Sequence, residues 1–85
     1  MTKYFKTEKY ADVIYLEKID PFSITTTAVG KYYQVAHSDT IQVSEMYYHD
    51  RLNRLENHPD FVEITESEYN QILNFKTQAQ CQTSF

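Results

Sequence analysis

The first half of the chain alternates apolar and polar positions in the manner of strands. Lys3-Tyr4-Phe5-Lys6-Thr7 is a short aromatic-rich segment. Residues 12–19 contain the run Val13-Ile14-Tyr15-Leu16, three of whose four members are β-branched or aromatic, which suits a strand covered on both faces. Asp20-Pro21 breaks this run, because proline cannot donate to a ladder and disfavours helix at the residue before it. In 22–29 three adjacent threonines favour a further strand, with Phe22, Ile24 and Ala28 expected on one face. Gly30 is the only glycine and the natural turn before a strand over 31–37. Ser38-Asp39-Thr40 reads as another turn, and 40–44 as a half-buried strand of period two.

Beyond Ser44 the period changes. Alternation carries a strand to about Met46, and a short helix is expected from about His49 to Asn57. Tyr48, Leu52 and Leu55 fall on one helical stripe at i, i+4 and i+7, with Arg51, Arg54 and Glu56 toward water, while alternation reads equally as a strand continuing through Tyr47. His58-Pro59 closes that helix. Phe61-Val62-Glu63-Ile64 is a short extended arm, and Thr65-Glu66-Ser67-Glu68 after it is a capping box. Ile64 and Tyr69 stand at the two positions of a hydrophobic staple. A helix is therefore expected from Glu66 to about Lys76, with Tyr69, Ile72, Leu73 and Lys76 on its inner stripe. The result is an α+β fold: a small antiparallel sheet of about four or five strands, with a short helix and a capped C-terminal helix on one face.

At 85 residues the chain is long enough for one domain, expected over 1–76, with 77–85 as a polar, frayed tail. No apolar run approaches a membrane span, no signal segment opens the chain, and the single Cys fits a reducing cytosol, so a cytoplasmic location is expected. Charge is unevenly placed. Residues 1–43 hold five lysines against five acids, whereas 44–85 hold three bases against seven acids and so carry the whole net charge of −4. Between Glu56 and Glu68 lie five acids and no Lys or Arg, which repels duplex nucleic acid and suits a basic partner.

The motifs that would carry catalysis are thin. Each histidine has an aspartate nearby, in His37-Ser38-Asp39, His49-Asp50 and His58-Pro59-Asp60, but the spacing is not that of a zinc site, and aspartates there serve turns. His58-Pro59-Asp60 is also the tripeptide of J-domain co-chaperones, where it joins two helices, the first of them basic on one face. Here a β-rich half precedes it and an extended arm follows. Cys81 has no base near it in sequence, and one glycine cannot build a phosphate loop. No enzyme, metal or cofactor is expected.

Tyrosine is the surplus, eight in all, with pairs at 32–33 and 47–48. Exposed tyrosines offer large contact area at low entropic cost. Candidate partner-binding residues are therefore Tyr32 and Tyr48, one ring from each pair, with the acids Glu56, Asp60 and Glu63. Tyr33 is expected inward with Val35. The expected function is a small non-catalytic protein-interaction module, with homo-oligomerisation left open. By analogy of size, acidity and missing chemistry, it has the profile of an accessory protein or inhibitor that a phage or mobile element directs at a host protein, which would place it in the host cytoplasm. A single-stranded nucleic-acid binder is the alternative, and a metal protein or enzyme comes third.

Overall fold

Among the described residues of this computed structural model, five strands and two helices form in the order β1 (Lys3–Thr7), β2 (Val13–Asp20), β3 (Ser23–Gly30), β4 (Val35–Gln42), α1 (Glu45–Asn57), β5 (Val62–Ile64) and α2 (Glu66–Thr83). The structure describes residues 1–9, 12–30 and 35–83, and the side chains of 35, 36 and 75–83 lie outside the description. The expected α+β class, with five antiparallel strands, is what is found.

The sheet order is β4-β3-β2-β1-β5. The first four strands form a meander, whose hairpin at Asp20–Ser23 is set by Pro21 and Phe22. β5 then pairs antiparallel with β1 at the far edge, Tyr4 opposite Ile64 and Lys6 opposite Val62. α1 is the connection from one edge of the sheet to the other.

The alternation of strand side chains builds two cores rather than one. Phe5, Ile19 and Ile24 face α1 and pack with Tyr48 and Leu55. Leu16, Val29 and Ile64 point the other way and pack with Tyr69 of α2. The two helices thus cover opposite faces of the sheet, and the chain changes faces at β5. This is why 13–16 could be apolar without interruption: both faces of β2 are roofed. Phe5, Leu16, Ile19 and Val29 are fully enclosed, each stabilising the fold by about 1.5–3 kcal/mol through its burial.

Several boundaries differ from the expectation, each for a local reason. β4 runs straight through Ser38-Asp39-Thr40, because the Ser38 hydroxyl meets Thr27 at 3.1 Å and Thr40 meets Thr25 at 2.9 Å across the ladder. Turn-forming residues are held extended by these cross-strand hydroxyl pairs. A bulge between Ala28 and Val29 shifts the register where β4 begins. No strand continues to Met46. Ser44 caps α1 instead, its side chain accepting from the Tyr47 amide, so the helix begins at Glu45. Phe22 lies in the hairpin turn, exposed, and only Ile24 and Ala28 of the expected face are buried. α2 continues to Thr83, past the expected end at Lys76. The Thr65 cap forms, with the Glu68 amide donating to the Thr65 hydroxyl at 3.1 Å, and Ile64 and Tyr69 join the same core as the staple requires. The return arm of the box is replaced: among the described residues the partner of the Glu68 carboxylate is Lys6, at 3.2 Å.

Candidate functional site

The residues expected to bind a partner do not assemble into one surface. Tyr32 and Tyr33 lie outside the described residues. Tyr48 is buried against Phe5, Ile19 and Ile24, and its hydroxyl donates to the Met1 carbonyl at 3.2 Å, so it is a core residue. Helical phase decides this: Tyr48 is on the stripe of Leu52 and Leu55, whereas its neighbour Tyr47 is turned aside and is the exposed ring of the pair.

The acids are present at the surface but are not a bare negative patch. Glu56 receives Lys3 Nζ at 3.1 Å, and Asp60 receives Lys9 Nζ at 3.0 Å. The hydrogen bond to Glu56, followed by the charges of Glu56 and Glu63, holds the Lys3 ammonium above its ordinary value. Lys6 is raised in the same way by its hydrogen bond to Glu68. The lysines of the N-terminal segment thus lie among the acids of 56–68. β1 brings two of them there by pairing with β5, and partners more than 50 residues apart carry no local signal.

A second feature has no local signature in the sequence. Glu17 is 3% exposed in the middle of β2, and Arg51 of α1, expected to face water, is turned down onto it. The pair is bidentate: Arg51 Nε donates to one carboxylate oxygen at 3.0 Å, and the terminal nitrogen donates to the other. The Glu17 hydrogen bond holds the Arg51 guanidinium above its ordinary value. Beside this pair a cleft of about 410 Å³ opens between the sheet and the α1–β5 loop, lined among others by Tyr15, Glu17, Thr26 and His58. Its ionisable groups are tied to one another: Glu17 to Arg51, Asp60 to Lys9, and His58, through Nδ1, to the Asp60 amide at 3.1 Å. Such pairing holds a loop against a sheet. The His58-Pro59-Asp60 tripeptide accordingly joins a helix to a strand, with the His58 ring edge-on to Phe61. Among the described residues, no group of three or more His, Cys, Asp and Glu is placed to hold a metal ion.

Of the exposed large apolar residues among those described, Val62 stands apart on β5 and the others gather at one end. Phe22 is 76%, Ile41 46%, Met46 82% and Tyr47 47% exposed, and all lie around the first turn of α1. The geometry that gathers them is local. The Val43 amide donates to the Phe22 carbonyl at 3.2 Å, which ties the β2–β3 turn to the β4–α1 link. One concavity of about 300 Å³ is lined by Pro21, Phe22, Glu45, Tyr48 and His49, and a second of about 250 Å³ by Ile41, Val43, Ser44, Tyr47 and Gln42. Met1, also exposed, is fixed at this end through the Tyr48 hydroxyl. The Glu45 carboxylate is almost wholly in solvent at the border, 3.9 Å from His49. This end thus combines exposed apolar side chains, two shallow pockets and an acidic edge.

No family model, curated protein or solved structure gives a significant match to the chain. Among the described residues no helix is long and apolar enough to cross a membrane.

Proposed function

We propose that the protein is a non-catalytic protein-binding module that docks through the end formed by Phe22, Ile41, Met46 and Tyr47. The observation that carries this reading is the grouping of exposed large apolar side chains at one end of the molecule. Apolar residues scattered singly are normal on a surface, whereas several grouped at one end beside two shallow concavities support an interaction site. Tyr47 and Phe22 supply rigid aromatic anchors, and the solvent-facing Glu45 favours a basic rim on the partner. The proposal extends to an accessory or inhibitory role against a host protein in the cytoplasm, exerted by covering that protein's surface. Single-stranded nucleic acid is the weaker reading, since Lys3, Lys6 and Lys9 are all held by carboxylates.

Affinity capture from lysate tests it, comparing the native chain with a folded Phe22→Ser, Met46→Ser double variant and with Glu63→Lys. A protein retained by the native chain and by Glu63→Lys but lost by the double variant is expected. Retention of the same protein by all three would remove the apolar end from consideration, and salt-labile capture of RNA would replace the reading with the nucleic-acid one.

A further inference from the structure

The two edges of the sheet are not equivalent. β5 is three residues long, the kind of short edge that does not template further pairing. β4 is eight residues long and contains no Lys, Arg or Pro among Val35-Ala36-His37-Ser38-Asp39-Thr40-Ile41-Gln42. Lysine and proline are among the devices that blunt edge strands; β4 has neither, and beyond the bulge at its start and the charge of Asp39 no strand among the described residues pairs with its outer edge.

Which backbone groups face outward follows from the pairing with β3. The Val43 amide bonds to the Phe22 carbonyl, in register with Ile24 opposite Ile41 and Thr26 opposite Asp39. Bonded pairs alternate along an antiparallel ladder. His37, Asp39 and Ile41 therefore direct their N–H and C=O groups to β3, and Ser38, Thr40 and Gln42 direct theirs to the open edge.

We infer that β4 pairs antiparallel with β4 of a second copy, around a two-fold axis at Ser38. The choice of axis rests on charge. His37 and Asp39 are both exposed and lie on the same face of β4. An axis at Asp39 would set two carboxylates directly opposite each other, and an axis at His37 two imidazoles. With Ser38 opposite Ser38, each His37 stands across from the other copy's Asp39, giving two imidazole–carboxylate pairs. The backbone agrees: Ser38 is an outward-facing position and makes a bonded pair, so His37 and Asp39 fall at non-bonded pairs, where opposing side chains approach most closely. The same register pairs positions 35–41 of each strand, with the bulge beside His37 inside the overlap. The product is a closed dimer with one ten-stranded sheet, since the axis uses both long edges and leaves only β5 at the ends.

Sedimentation velocity on the full chain over a concentration series tests this, with folding of each variant checked by circular dichroism. The native chain is expected to pass from monomer to dimer. Asp39→Lys, an exposed change, removes both carboxylates that face His37 and should raise the dimer Kd by about tenfold or more. Adding His37→Asp to it recreates two opposite-charge pairs in the same register and should restore the dimer. A chain that stays monomeric up to about 1 mM would overturn the inference. So would assembly beyond a dimer, a dimer indifferent to Asp39→Lys, or failure of the double variant to recover.

Discussion

A strand carboxylate that the α1 side of the sheet has sealed from water depends on one guanidinium. Glu17 has both oxygens bound by Arg51, so Arg51→Ala would strand a buried charge. Loss of one partner of a buried pair is far more harmful than loss of both. Because Arg51 itself is partly solvated, the expected destabilisation is about 2 kcal/mol, below the range for fully enclosed pairs. Urea unfolding measures it, and the double change Glu17→Leu, Arg51→Met should return most of the stability. An unaltered midpoint for Arg51→Ala would mean that Glu17 is hydrated. None of this is visible in sequence, where Glu17 follows an apolar run as an ordinary strand charge and its partner is 34 residues away. Tyr48 is buried rather than exposed for a related reason. Its phase depended on whether 45–48 was strand or helix, and that turned on Ser44.

Caps decided the elements. Thr65 was legible because the capping box and staple are consecutive in sequence, and both the cap and the apolar contact appear as expected. Ser44 carries no such signature, because it also ends a run of period two and Tyr47, not Glu or Gln, stands at the third helical position. The two caps should nevertheless be alike in energy: Ser44→Ala and Thr65→Ala are each expected to destabilise by about 1 kcal/mol in thermal unfolding. No change for Ser44→Ala would move the start of α1 away from Glu45. The extended course of β4 through Ser38-Asp39-Thr40 was hidden because turn chemistry and cross-strand hydroxyl pairing use the same residues, and only the position of Thr25 and Thr27 decides between them. The α+β class was readable from periodicity, but the separate strands expected over 31–37 and 40–44 are replaced by β4, which runs through Ser38-Asp39-Thr40. The side of the sheet taken by each helix was not readable, since it follows from which strand residues face which core.

At the scale of the molecule, α2 is fastened to the sheet by tyrosine rings. Tyr4 and Tyr69 lie 4.8 Å apart, and burial pushes the Tyr69 hydroxyl above its ordinary value, as desolvation does that of Tyr4. A tyrosine whose pKa is higher folded than unfolded keeps its proton longer in the native state. Its contribution is complete below about pH 10, the value in the unfolded chain, and is lost as pH rises through the folded value. Stability should therefore fall above about pH 10, and Tyr69→Phe should flatten that fall in denaturant titrations taken at successive pH values. An identical alkaline limb in the variant would show that Tyr69 ionises equally in both states.

β5, the short strand at which the chain changes faces, has a temporal consequence. Strands β1 to β4 join through neighbouring residues, whereas Tyr4 must wait for Ile64, 60 positions later. Closing such a span is the entropically slow kind of step, and it sets folding rate more than it sets stability. On a ribosome the meander is complete while both its faces are still bare, with Leu16 and Ile19 open to water until the helices arrive. The last strand to be made is thus the one that brings α2 over Leu16 and Val29, and it relies on three residues to do so.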